Sequence, residues 1–142
     1  MGEFDDMNRE VLAEFRANGG KVEKAAGGFF ANAWIVVVHS KGAKSGQERL
    51  NPLMALPVGD NFAIFASKGG APTHPDWYYN LKANPDITYD YLTDTYKAKA
   101  VEVTGEERDR IYTEMKTRFP NFAEYEAATT RTIPVFVLER QD

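Results

Sequence analysis

The 142-residue chain contains no cysteine. That excludes disulfides, thiolate metal sites, iron–sulfur clusters and cysteine nucleophiles, and it agrees with a reducing compartment. Histidine is nearly as scarce. His39 and His74 are the only two, neither has a partner three or four residues away, and the sequence predicts no metal site. Positive charge is short as well: 17 Lys and Arg face 21 Asp and Glu, a net charge of -4. Such a balance argues against nucleic acid as a partner. The longest apolar run, Ala33–Val38, suits a buried strand and falls well below the roughly 20 residues that span a bilayer. Met1–Asp6 is acidic and lacks the basic-then-apolar pattern of a signal peptide. A cytoplasmic protein is expected, with contact of the first helix at the inner face of the membrane left open. Several motifs are missing too. No Walker loop, Gly-x-Gly-x-x-Gly fingerprint, Gly-x-Ser-x-Gly elbow or Ser-x-x-Lys pair occurs.

What remains is an ordinary globular composition, 43% hydrophobic and 13% aromatic. At roughly 100–200 residues per domain, residues 1–142 form one domain. Residues 7–18 are spaced as a helix, and 19–31 form a Gly- and Ala-rich connection that can pack loosely. Strands are expected at Trp34–Ser40, Gln47–Leu56 and Asn61–Ala66, with Pro52 at a bulge or edge position. A helix over Asp76–Ala83 has Pro75 as its first residue. A hairpin of Ile87–Leu92 and Thr95–Val103 turns at Thr93-Asp94. Thr104 and Glu107 have capping-box spacing for a helix with Ile111, Met115 and Phe119 on one face. A short helix over Asn121–Thr129 and a strand over Ile133–Leu138 follow. Close-spaced strands pair antiparallel, so the order implies an α+β fold: a six-stranded, mostly antiparallel small barrel over 32–139, behind an N-terminal helix and connection over 1–31.

Two segments point to chemistry. One is Gly42-Ala43-Lys44-Ser45-Gly46 with Arg49; the other is Ser67-Lys68-Gly69-Gly70-Ala71-Pro72 with His74-Pro75-Asp76-Trp77. Glycine lets backbone N–H groups approach an anion, serine adds a donor, and Lys or Arg supplies charge. The second segment also leads into a helix N-terminus. From His39 to Gly70 four Lys and Arg face two acids, a basic stretch in an acidic chain. Spacing alone leaves both segments open to reading as solvated turns. Trp77, Tyr78 and Tyr79 point three ways from a helix, and Phe119, Phe122 and Tyr125 recur at three-residue spacing. They suit either core packing or an aromatic wall over a planar ligand.

The run Ala66-Ser67-Lys68-Gly69-Gly70-Ala71-Pro72-Thr73-His74-Pro75-Asp76-Trp77 is specific. Together with Gly42–Gly46, Arg49, Pro52, Asn80, Asn84-Pro85, Phe119-Pro120 through Tyr125 and Arg131–Val135, it resembles the deazaflavin-dependent nitroreductase family, small reductases that use coenzyme F420. The likeness covers about residues 32 to 139. It implies a split β-barrel like that of flavin-binding pyridoxamine-phosphate oxidases. It also implies hydride transfer from reduced deazaflavin to a quinone, enone or nitroaromatic acceptor. By the match, Lys44, Ser45, Gly46 and Arg49 hold the coenzyme's phosphate and glutamates. Ala66, Ser67, Lys68 and Gly69 lie along its ring and ribityl chain, and Asp76, Trp77 and Asn80 complete the wall. Tyr78, Phe119, Phe122 and Tyr125 fall on the substrate side, with no single catalytic residue assigned. Phe119 and Phe122 stand where relatives often carry tyrosine, and Ala43 where Arg is common. FMN on the same barrel and a non-catalytic coenzyme-binding protein are the alternatives. Barrels of this architecture often dimerise, so a homodimer is in keeping with the match.

Overall fold

A computed structural model describes residues 3–28 and 30–141, with side chains from Met7 onward. Its elements run α1 (Glu3–Ala17), β1 (Trp34–Lys41), β2 (Glu48–Val58), β3 (Asn61–Phe65), α2 (Asp76–Ala83), β4 (Asp86–Tyr91), β5 (Asp94–Val103), α3 (Gly105–Arg118), α4 (Asn121–Ala127) and β6 (Val135–Arg140). The strands close in the order β1-β2-β3-β6-β5-β4, antiparallel throughout. Pro52 pairs in register with Val37, on the part of β2 that runs past β3. There β2 has a free edge, which accommodates a residue without an N–H.

Alternation along each strand sorts the barrel's side chains into two sets. One set comes from all six strands and fills the interior, with Val36, Val38, Ala55, Ile64, Ile87, Tyr89, Ala98, Phe136 and Leu138 packed against Trp77 and Leu81 of α2. The other set, including Ile35, Val37, Leu56, Phe65 and Val137, lies on the outer face under Val11, Phe15, Ile111, Met115 and Phe122 of the remaining helices. Val11 and Phe15 of α1 are essentially without exposure, as their four-residue spacing requires.

Five expectations are corrected. The connection after α1 is not loose. The Glu14 carboxylate accepts from the backbone N–H groups of Glu23, Lys24 and Ala25 at 2.9, 3.1 and 2.7 Å, and these bonds hold its pKa below the usual range. Val22, Ala25 and Phe30 are buried, while Phe29 lies outside the described residues. The β4–β5 turn is Leu92-Thr93, since Tyr91 pairs with Asp94. Leu92 there has φ of 54°. Thr104 sits at the α3 N-cap with the extended backbone of a cap but makes no side-chain cap bond, and Gly105 after it has φ of 63°. Phe119 is the cap after α3 rather than part of its stripe, and Pro75 precedes α2 as its cap.

A buried acid ties α1 to the barrel. Asp90 accepts from Thr95 Oγ1 at 2.6 Å, contacts His39 Nε2 at 2.8 Å and meets Arg16 at 3.2 Å. Burial pushes its pKa up, but the Thr95 and His39 hydrogen bonds outweigh that and hold it low. No helix among the described residues is long and apolar enough to cross a membrane.

Candidate functional site

The connection from Lys41 to Glu48 folds back on itself, with Gly42 N–H donating to Gln47 O at 2.8 Å and Gly46 N–H to Gly42 O at 2.9 Å. Gly42 leaves room for the side chains that cover the turn. A Cβ on it would come within 2.6 Å of Ser45 Oγ and 3.7 Å of Arg49 Nε, so Ser45 and Arg49 both lie over this turn. Lys44, Ser45, Gly46 and Arg49 are all exposed. Among the described residues neither Lys44 nor Arg49 has an ion-pair partner, whereas the adjacent Glu48 faces His39 Nδ1 at 3.6 Å. Two unneutralised cations on one turn are what an anion needs.

Asn80 joins this turn to α2: its Oδ1 accepts from Ala43 N–H at 2.9 Å. Upstream of α2 lies the second segment. Ser67 is right-handed, and Lys68, Gly69 and Gly70 then take φ of 48°, 64° and 87°. A right-handed residue followed by a left-handed one makes neighbouring N–H groups converge, the backbone form of an anion cradle. Lys68 reaches Thr73 Oγ1 at 3.1 Å. Asp76 occupies the first turn of α2, exposed.

Gly70 marks where α4 closes on this segment. A Cβ there would sit 3.0 Å from Ala128 Cβ and 3.1 Å from the Tyr125 backbone. The substrate-side and coenzyme-side candidates are therefore neighbours. Gly70→Ala is expected to cost about 1–3 kcal/mol, from the left-handed backbone and the contact together, and to loosen Tyr125. Thermal unfolding beside hydrogen exchange in α4 checks this.

The aromatic candidates divide. Trp77 is 7% exposed and packs on Phe136 at 6.1 Å, so the structure uses its indole to seat α2 on the core. Phe122 is buried between Phe65 and Tyr125, at 5.6 and 5.1 Å. Phe119 meets Trp34 edge-on at 6.4 Å. Tyr125 is half-buried, and desolvation raises its pKa, so its hydroxyl stays protonated. Tyr78 stacks on His74 at 4.3 Å.

Sequence reasoning quoted Arg131 but gave it no role, and the structure makes it central. Its guanidinium donates to Ala66 O at 3.1 Å, Ser67 O at 2.8 Å and Ala71 O at 2.9 Å, and meets His74 Nδ1 at 3.0 Å. Ala66 N–H donates in turn to Pro134 O at 2.9 Å. The α3–α4 layer supports this strap. Arg108 donates twice to Ile133 O, at 3.1 and 2.9 Å, and the Tyr112 hydroxyl donates to Phe122 O at 2.7 Å, with burial pushing the Tyr112 pKa to about 12. The signal was a lone Arg between Thr130 and Thr132, with its targets 57–65 residues away.

The two loops thus converge on α2, one leading into its first turn and the other bonded to Asn80. Two depressions among the described residues lie elsewhere, one beside Glu14, Lys21 and Lys24 and one beside Trp34, Tyr91 and Leu92. In the first, Lys21 and Lys24 are offset by Glu14 and Glu23, and the second holds one Lys and one Glu. The region of the two loops is the better site on chemical grounds, because Lys44 and Arg49 there have no ion-pair partner among the described residues.

Comparison with known proteins decides the lineage. A family model described as F420H(2)-dependent quinone reductase matches residues 7–140. The chain belongs to this family. An F420H(2)-dependent quinone reductase of Mycobacterium tuberculosis is 37% identical over 109 residues, which are 75% of this chain and 73% of that protein. A solved F420-H2 dependent reductase is 42% identical, with a TM-score of 0.69 over 74% of this chain and 93% of the other. A second solved relative, described as a domain-swapped dimer, is 35% identical with a TM-score of 0.71 over 96% and 100%. At 10% identity, a Listeria innocua structure described as a pyridoxamine 5′-phosphate oxidase shares the fold alone, with a TM-score of 0.58. Family membership accords with the split barrel drawn from the sequence.

Proposed function

We propose that this chain oxidises reduced coenzyme F420 and passes a hydride to a quinone or a similarly electron-poor enone or nitroaromatic. The observation that carries the reading is the joined pair of loops: unpaired Lys44 and Arg49 on a turn hydrogen-bonded through Asn80 to the helix that follows the left-handed Lys68–Gly70 segment. The donor set suits a molecule with a phosphate, carboxylates and a flat ring. The family description names F420H(2) as the reductant, which favours the deazaflavin over FMN.

When bound, the reduced deazaflavin supplies the hydride. The chain's own groups do the rest. Lys44, Ser45, Gly46 and Arg49 hold the phosphate and carboxylates, while Ala66, Ser67, Lys68 and Gly69 border the ring and its chain. Asp76 and Asn80 wall the site, and Trp77 anchors the helix that carries them. Tyr125, backed by Phe122, offers a neutral hydroxyl to the acceptor oxygen as negative charge develops there. Phe119 and Tyr78 bound the apolar side and limit water. A homodimer accompanies this reading, supported by the domain-swapped relative.

The test is direct. Purified protein mixed with F420H2 and a menadione-type quinone should restore the oxidised coenzyme's absorbance near about 420 nm, as against about 450 nm for a flavin. Tight coenzyme binding without turnover of any quinone would favour a carrier instead.

A further inference from the structure

Resting on the coenzyme reading above, we propose that Arg131 is the positioning residue of the Ser67–Gly70 segment and that neutral His74 is its pH-sensitive latch. A chain of three residues in the left-handed region is not self-supporting, and Lys68 has a side chain that disfavours it. Within the segment the backbone bonds are Gly70 N–H to Ser67 O at 2.9 Å and Ala71 N–H to Lys68 O at 3.2 Å. Arg131 adds three side-chain bonds from outside, to the carbonyls of Ala66, Ser67 and Ala71. One planar fork thus fixes both ends of the bend while leaving the Lys68 and Gly69 N–H groups free of that grip.

Arg131 has no acceptor, so at the fourth contact His74 Nδ1 must accept and the neutral ring carries its proton on Nε2. A protonated ring has no acceptor to offer and places a second positive charge beside the guanidinium. Desolvation, then Arg131, lower the His74 pKa, while Glu102 opposes them. The groups facing His74 are Arg131 from the 128–134 strap, Tyr78 and Tyr79 from α2, and Glu102 from β5, the last held by Lys82 at 2.9 Å. Because the folded pKa is depressed, the latch is intact above the ordinary histidine value of about 6.5 and is lost as pH falls through the folded value below it.

The experiment has two arms. In the first, hydrogen exchange is followed at the Gly70 and Ala71 amides of the coenzyme-free protein, corrected for intrinsic rates. Arg131→Ala and Arg131→Lys should both raise exchange there, since lysine cannot span three carbonyls; far-UV circular dichroism verifies that the barrel persists, and the lysine variant covers failure of the alanine one to fold. In the second, coenzyme affinity is titrated from pH 8 down to about 5. Wild type should lose roughly tenfold affinity across the acidic part of that range. His74→Gln retains a carbonyl acceptor for Arg131 but does not titrate, so its affinity should be flat there, although His39 remains. Unchanged amide protection in both Arg131 variants would overturn the positioning role. The same pH dependence in wild type and His74→Gln would overturn the latch. Absence of coenzyme binding by wild type at every pH would defeat the functional reading instead, leaving the first arm to decide on Arg131.

Discussion

Replacing Lys44 and Arg49 together by alanine is expected to weaken coenzyme binding by about 100-fold, roughly tenfold for each charge removed from a water-accessible anion contact. Both side chains are exposed on the Gly42–Gly46 turn and neither has an ion-pair partner among the described residues, so their removal leaves no buried charge behind. Melting temperature should stay near that of the parent. The effect should shrink as salt rises, because screening weakens the parent's interaction and not the variant's. Fluorescence titration with coenzyme at low and high salt, beside a thermal melt, measures all three. If the residual affinity of the double variant equals that of the parent, the turn does not hold the anionic end.

The largest stability effect should come from a residue outside the two loops. Gly20 has φ of 90°, and a Cβ there would lie 2.2 Å from the Leu92 Cα and 2.7 Å from the Leu92 carbonyl. Those are backbone atoms, so no side-chain rotation relieves the overlap. Either the connection after α1 or the β4–β5 turn must move. Gly20→Ala should cost about 3–5 kcal/mol, in the range reserved for backbone conflicts. At this chain length that is a fall of roughly 10–17 °C in Tm. Gly19→Ala is the control: its φ is 62°, but its nearest neighbour is a Thr93 methyl at 3.7 Å, so only the backbone term of about 1–2 kcal/mol applies. Equal losses in the two variants would show that Leu92 does not press on the connection.

Local patterns carried most of the architecture. Trp34–Val38 is apolar and mostly β-branched, the 94–103 strand alternates, and Asp76–Ala83 lies between Pro75 and Asn84-Pro85, so these elements were legible from neighbours in sequence. The glycine-and-lysine loops were legible as chemistry for the same reason. What escaped depended on distant groups. Glu14 orders a connection that composition reads as loose, because its carboxylate meets three N–H groups nine to eleven residues on. Trp77 reads as a pocket aromatic until the barrel interior is assembled around it. Arg131 is the sharpest case: one arginine near the C-terminus shapes a loop some sixty residues earlier, and no local pattern announces that a side chain will bond three carbonyls at once.

The arrangement also explains how a chain of net charge -4 can offer an anion site. Four of the acids are committed elsewhere: Glu14 on the connection, Asp90 on His39 and Arg16, Glu102 on Lys82, and Glu126 on Lys116 at 2.8 Å. Lys44 and Arg49 remain uncommitted beside glycine-rich backbone.

A crystal structure grown with oxidised coenzyme tests the central claim most directly. The account predicts phosphate and carboxylate density against Lys44, Ser45 and Arg49, with the ring running toward Ser67–Gly69 and Tyr125. Ordered coenzyme in the depression beside Trp34, Tyr91 and Leu92, with the two loops bare, would contradict it.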